Sequence, residues 1–202
     1  MAKERLKSPR ARLFVALDLP DDVREALVAW QRGFEDAALR PVQPENLHMT
    51  LAFLGYRPEK EIERIGEAVQ TVEAPAPELR LKPDPVGVPR GKRPRLFAID
   101  VESPDAVELQ AEVERRLVSG RFYEPEKRPF WPHLTVARVR PEKKGGRKPA
   151  AVERTPGPLP EHMFASFRPT RLVLFRSHLK RSGAEYESVA ELELPTAETT
   201  ER

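Results

Sequence analysis

Polar and apolar residues alternate along Leu47-His48-Met49-Thr50-Leu51-Ala52-Phe53. Successive side chains of an extended strand face opposite ways. The pattern therefore predicts a strand with His48, Thr50 and Ala52 on one face and Leu47, Met49, Leu51 and Phe53 on the other. It recurs 85 residues later in Pro132-His133-Leu134-Thr135-Val136-Ala137-Arg138. There His133, Thr135 and Ala137 line up against Leu134 and Val136. Around these two strands the chain predicts further elements. Leu13–Leu19 is a short apolar strand, and Pro20-Asp21-Asp22 suits a first helical turn. Val23, Leu27, Trp30 and Phe34 then recur at helical spacing. Residues 41–45 link to the first His strand, which Gly55 ends. A second helix over about 59–72 buries Ile62, Ile65 and Val69. Leu79–Val88 reads as an edge strand because Pro83 and Pro85 withhold ladder donors. Arg95–Val101 is a strand, 104–118 a helix, 130–138 the second His strand, and 164–177 and 185–194 are closing strands.

A second repeat runs at nearly the same lag. Arg12-Leu13-Phe14-Val15-Ala16-Leu17-Asp18 resembles Arg95-Leu96-Phe97-Ala98-Ile99-Asp100, 83 residues apart. Two matched pairs in the same order imply a duplicated unit. Each repeat holds more strands than helices, so mixed or antiparallel pairing is favoured over a doubly wound parallel sheet. The expected fold is α+β, with two pseudo-symmetric lobes of mixed or antiparallel sheet, outer helices and a shared central cleft. The expected organisation is a disordered basic tail at 1–10, one bilobal domain at 11–195 and a polar tail at 196–202.

Composition narrows the chemistry. The chain has 202 residues and no cysteine, which excludes disulfides, thiolate metal sites and cysteine nucleophiles. No apolar run approaches the ~20 residues of a membrane span. The first residues are basic but lack the apolar core of a signal peptide, so a cytoplasmic location is the default. The net charge of +3 suits a polyanionic partner without identifying one. Two basic segments, Pro89–Arg95 and Arg140–Lys148, read either as solvated loops or as contacts to an RNA backbone.

The paired His-x-Thr strands carry the functional signal. A neutral imidazole accepts a proton and an imidazolium donates one near neutral pH. In-line opening of a cyclic phosphodiester needs both, on opposite sides of phosphorus. Thr50 and Thr135 can donate hydroxyl hydrogen bonds to the non-bridging phosphate oxygens. No metal or other cofactor is required, and one His per strand without a neighbouring carboxylate is a poor zinc site. The near-symmetry leaves open which histidine is the acid. Trp131 or Phe130 could stack on a base, with core packing expected for one of them. His178 is expected in an exposed loop at 177–183, and His162 is expected to be structural or exposed.

The chain resembles the 2H phosphoesterases, whose signature is a pair of His-x-Thr motifs. Within them it is similar to the LigT-like RNA 2′,3′-cyclic phosphodiesterases, also called 2′-5′ RNA ligases. The likeness spans about 11–195. It includes the Leu13–Pro20 opening, Pro44-Glu45-Asn46-Leu47-His48, Arg128-Pro129-Phe130, Phe175-Arg176-Ser177 and Ser182–Glu187. The resemblance implies His48 as proton donor, His133 as proton acceptor, and hydrolysis of a terminal 2′,3′-cyclic phosphate to a 2′-phosphomonoester. It also implies phosphate or ribose binding by Arg138, although strict alternation puts Arg138 opposite His133 unless a bulge intervenes. Expected partners are RNA 3′ ends or tRNA halves bearing the cyclic phosphate, and nucleotides, with no membrane contact and a monomeric protein. Reversal of the reaction would join a cyclic phosphate to a 5′-hydroxyl through a 2′-5′ bond. Hydrolysis of a small cyclic nucleotide or 2′-5′ oligonucleotide, and a non-catalytic nucleotide- or RNA-binding module, remain as alternatives.

Overall fold

The computed structural model describes residues 9–91, 93–180 and 183–196. The expected tails, Lys92 of the first basic segment and Arg181-Ser182 of the loop expected at 177–183 fall wholly or partly outside these residues. The chain runs β1 (Arg10–Asp18), α1 (Asp21–Gln31), β2 (Leu39–Pro41), β3 (His48–Pro58), α2 (Ile62–Gln70), β4 (Arg80–Val88), β5 (Leu96–Glu102), α3 (Pro104–Ser119), β6 (His133–Val139), β7 (Arg171–Lys180) and β8 (Gly183–Glu193). Two four-stranded antiparallel sheets result, ordered β3-β1-β7-β8 and β2-β6-β5-β4. The α+β expectation holds. The chain crosses between sheets, since β2 joins the second sheet while β1 and β3 build the first.

Local sequence accounts for most elements. Pro20 precedes α1, and Asp21 and Asp22 lie in its first turn, where carboxylates favour the helix dipole. Ser103 caps α3 by accepting from the Ala106 N–H at 2.9 Å. β4 sits at a sheet edge as its prolines require, with a register shift between Leu81 and Pro85. α2 is shorter than its periodicity suggests, because a 3-10 turn over Glu59–Glu61 precedes it. β2 was not expected; it is three residues that pair with β6 through tertiary contact. His178 belongs to β7 rather than a loop, opposite Glu185 of β8. One apolar cluster joins Leu13 and Leu17 of the first sheet to Ile99 and Leu134 of the second. α2 packs against β8. A Cβ at Gly66 would stand 3.0 Å from the Ala190 methyl carbon, a tight contact that the glycine avoids where α2 meets β8.

The two His strands are built alike. His48 lies opposite Asp18 and Thr50 opposite Ala16; His133 lies opposite Asp100 and Thr135 opposite Ala98. Beyond each threonine the register slips. Val15 pairs with Ala52 and Ala16 with Thr50, leaving Leu51 over. Phe97 pairs with Ala137 and Ala98 with Thr135, leaving Val136 over. Each strand therefore carries a β-bulge at the same place, and a bulge reverses the facing of the residues that follow. This corrects the alternation expected from sequence. Ala52 and Ala137 are buried, while Phe53 is 43% exposed. The Arg-Leu-Phe match is also one residue out of structural register, because Phe97 occupies the place of Val15.

The second bulge is held from behind. The Val136 carbonyl accepts from the Val42 N–H at 2.9 Å and from Nε2 of buried Gln31 at 2.8 Å. The same amide nitrogen donates to the Val42 carbonyl at 3.2 Å. Replacing Gln31 with Leu should therefore destabilise the protein by about 1–3 kcal/mol, the range for a lost buried hydrogen-bond partner. Urea unfolding measures this, and a loss below about 0.5 kcal/mol would show that the amide does not hold the bulge.

Candidate active site

The strand ends bearing His48 and His133 meet at a cleft of about 490 Å³. Its lining includes His48, Thr50, His133, Thr135 and Arg138, so all five site residues expected from sequence come together. Arg138 reaches it because of the Val136 bulge.

Each imidazole is locked in the same way. His48 Nδ1–H donates to the Asn46 carbonyl at 2.8 Å, and His133 Nδ1–H donates to the Trp131 carbonyl at 2.7 Å. A carbonyl can only accept, so the neutral rings carry their proton on Nδ1 and leave Nε2 as the exchanging nitrogen. The Thr50 hydroxyl donates to His48 Nε2 at 3.1 Å. Aromatic walls fix the ring planes. Phe14 lies 4.9 Å from His48 between centroids, and Tyr186 meets it edge-on at 5.3 Å. Trp131 stacks on His133 at 4.0 Å and 13°. Its indole N–H donates to Asp100 Oδ1 at 2.9 Å, so the cross-strand neighbour of His133 also holds the indole in place. On the other strand Asp18 is bound by Arg24 at 2.5 Å and Arg171 at 3.3 Å. Asn46 ties β8 to the site by donating from its side chain to the Ala184 carbonyl at 2.9 Å.

Burial lowers the pKa of both histidines. His48 falls to about 4, chiefly by desolvation; its hydrogen bond to the Asn46 carbonyl opposes this, Arg138 adds to it, and Asp18 works against it. His133 is also lowered by desolvation, opposed by its bond to the Trp131 carbonyl and by the Asp100 charge. Both rings are therefore neutral at pH 7 in the free protein. Among the described residues no three His, Cys, Asp or Glu side chains form a metal-holding group.

Several cleft residues were not singled out from sequence. Arg12 and Arg40 line it with Arg138. Arg12 donates to the Ser177 hydroxyl at 3.1 Å and lies 4.7 Å above the Phe53 ring. Arg40 pairs with Arg138 across β2 and β6. Three guanidiniums thus share the cleft lining with the histidines and with the carboxylates of Glu45 and Glu185, an excess of cations that suits an anion. No motif marks Arg40, because β2 has no periodic signal of its own. Among the described residues, none of either basic segment, 89–95 or 140–148, lines the cleft. Arg93 and Lys148 instead meet Glu142, at 3.6 and 2.7 Å. His178 is half-buried beside Glu187 at 2.8 Å, and His162 is exposed. Phe130 packs against the core while Trp131 lies on His133.

A model of the LigT-like phosphoesterases matches residues 17–96. An RNA 2′,3′-cyclic phosphodiesterase of Thermus thermophilus is 34% identical over 189 residues, covering 87% of this chain and 86% of its own. That of Methanothermobacter thermautotrophicus is 32% identical over 181 residues, covering 88% and 95%. The chain belongs to the LigT-like phosphoesterase family. A Thermus thermophilus crystal structure superposes with a TM-score of 0.73 at 27% identity, over 92% of this chain and 99% of its own. Escherichia coli LigT complexed with 3′-AMP superposes with a TM-score of 0.69 at 25% identity, over 93% and 100%. Within this LigT-like fold the family-model match contains the first His-x-Thr and ends before the second.

The depressed histidine pKa carries a stability consequence. Between about pH 6.5 and 4 the unfolded chain binds a proton at His48 that the folded chain does not, so stability falls as pH drops through that window. In an NMR titration His48 should stay neutral until about pH 4. A His48 midpoint near 6.5 would show that its ring is solvated rather than buried.

Proposed function

We propose that the protein is an RNA 2′,3′-cyclic phosphodiesterase that opens the terminal cyclic phosphate to a 2′-phosphomonoester, without a metal, by acid–base catalysis between His48 and His133. The observation that carries this reading is the matched Nδ1 lock. Two imidazoles with fixed tautomers offer Nε2 to one cleft, beside two threonines and three arginines. The relatives named RNA 2′,3′-cyclic phosphodiesterase and the LigT complex with 3′-AMP support the same substrate class. The equivalent bulges and lags support a duplicated unit, with 11–195 acting as one bilobal domain.

In this mechanism the cyclic phosphate sits between the two strands. Thr50 and Thr135 hydroxyls donate to its non-bridging oxygens, and Arg138, with Arg12 and Arg40, balances its charge. His133 takes a proton from water as the water attacks phosphorus. The bond from phosphorus to O3′ breaks on the opposite side, and His48 gives O3′ its proton. The roles follow the order of acidity. His48, the more strongly shifted ring, is the stronger acid as imidazolium, and His133 is the stronger base. Protonation of His48 in the free protein is scarce at pH 7. The bound phosphodiester anion favours imidazolium and so raises its pKa. Once the substrate is bound, the donor is charged when it is needed.

Substitution of His48 or His133 by Ala should each lower kcat by about 10²–10⁴-fold, the usual contribution of one general acid or base. Folding is checked by circular dichroism, and a near wild-type rate for either variant would remove that residue from the mechanism. Activity on a short RNA 2′,3′-cyclic phosphate should survive EDTA and yield a 2′-phosphate. Chelator-sensitive turnover, or a 3′-phosphate product, would contradict the mechanism.

The pH profile tests the proton assignments. Both histidines are lowered from the ordinary imidazole value of 6.5 in the free protein, so kcat/KM should peak below about pH 6.5 and fall as rising pH removes the imidazolium. The optimum of kcat should lie at higher pH, because bound phosphate raises both values. Coincident optima above pH 7.5 would contradict the assignments.

A further inference from the structure

The matched strands carry matched aspartates, and the two are held differently. Asp18 lies opposite His48, and Asp100 opposite His133. Asp18 shares its charge with two guanidiniums, Arg24 at 2.5 Å and Arg171 at 3.3 Å. Among the described residues no cation pairs with Asp100, which accepts instead from the Trp131 indole N–H at 2.9 Å. That indole lies nearly parallel to the His133 ring, with 4.0 Å between centroids and 13° between planes. His48 has no parallel stack: Phe14 is tilted by 32° at 4.9 Å, and Tyr186 stands at 78°. A cation over an aromatic face within about 6 Å is attracted by the ring quadrupole, and indole is the strongest such ring. A carboxylate that accepts from the indole N–H polarises the ring further, as hydrogen bonds in series do. Both effects favour imidazolium over neutral imidazole, and together they act on His133 alone of the pair.

Resting on the reading of His133 as the base, we propose that Asp100 and Trp131 are positioning residues that stabilise the His133 imidazolium, and that this unit decides which of the two matched histidines takes the proton. As water attacks, its oxygen bonds to phosphorus and its proton passes to His133 Nε2. The new positive charge then rests on the indole face, with the Asp100 carboxylate behind the indole. His48 has no such support and is left to donate. Other ionisable groups also face this region. Arg138 follows His133 on β6, and His48, Tyr186, Arg12, Arg40, Glu45 and Glu185 share the first cleft with it. A second cavity of about 490 Å³ adds Tyr123, Glu114, Glu126 and Arg128. Lys82 borders a further cavity with Asp100 and Trp131. All of them stay in place when Asp100 or Trp131 is replaced, so a change in His133 then belongs to the residue replaced.

Imidazole NMR on the substrate-free protein tests this directly. Trp131→Leu should lower the His133 pKa by about half a unit to one unit, the size of a partly desolvated cation–π contact. Trp131→Phe keeps a ring but cannot donate to Asp100, and should lower it by less. Asp100→Asn keeps an acceptor for the indole and should lower it by about half a unit, as loss of a partly solvated opposite charge does. His48 should move less than His133 in each variant. The ring nitrogen shifts should still report the proton on Nδ1, since the carbonyl lock at 2.7 Å belongs to the backbone of Trp131. With an RNA 2′,3′-cyclic phosphate, Trp131→Leu should lower kcat by up to about ten-fold, the equivalent of one pKa unit, with little change in KM. The acid limb of the kcat profile should move to lower pH, because a weaker base is freed of its proton at lower pH. An unchanged His133 pKa in Trp131→Leu and Asp100→Asn, or a ring that changes tautomer, overturns the proposal. If Trp131→Leu fails to fold, the near-isosteric Asp100→Asn decides. Lowered His133 values in a protein that does not consume cyclic phosphate support the stabilising unit and refute the hydrolytic reading. Turnover with unchanged His133 values does the reverse.

Discussion

The site depends on a hydrogen bond made twice, from an imidazole Nδ1–H to the carbonyl two residues earlier in the same chain. That bond sets the tautomer, points Nε2 into the cleft and fixes ring rotation at a strand end. It works only if the backbone before each histidine is itself held. Asn46 is held through its side chain to β8, and Trp131 through its indole to Asp100. The supports differ in sequence and origin, yet both terminate in the same carbonyl geometry. Hydrogen bonds of this kind are worth most where water is excluded, and the aromatic rings packed on each imidazole exclude it.

The paired bulges are the second constraint. A strand with perfect alternation would present His, Thr and Ala to the cleft and bury the next side chain. With the extra residue at Leu51 and Val136, the small alanines turn inward and Phe53 and Arg138 turn outward. The same backbone device therefore delivers an aromatic ring on one strand and a cation on the other. Phe53 in turn receives the Arg12 guanidinium on its face. The symmetry lies in the backbone, and the differences lie in what each strand hangs on it.

Electrostatics divide the space around the histidines. Arginines from β1, β2 and β6 face the first cleft together with Glu45 and Glu185, while Glu114 of α3 and Glu126 and Arg128 of the loop after it border a second cavity lined also by Trp131 and His133. His133 and Thr50 stand where the two meet. Burial lowers both imidazole pKa values, and the carboxylates opposite them, Asp18 and Asp100, pull the other way. Burial dominates in the absence of an anion, and bound phosphate adds the charge that reverses the balance.

The repeated His-x-Thr pattern, read alone, already specified two amphipathic strands, an α+β fold and the residues that line the cleft. Those features follow from side-chain period and residue chemistry, which are local. Arg138 was legible only as a question, since alternation placed it on the wrong face and a bulge was the way out. The bulge itself depends on Gln31 and Val42 reaching the Val136 carbonyl from another part of the chain. β2, Arg40 and Arg12 as cleft residues, and the second cavity were not legible. Each exists because segments far apart in sequence pack together, and three residues of strand carry no period. Local pattern determined which chemistry the chain holds; the packing of two sheets decided which groups surround it, because burial and charge proximity are properties of the folded chain.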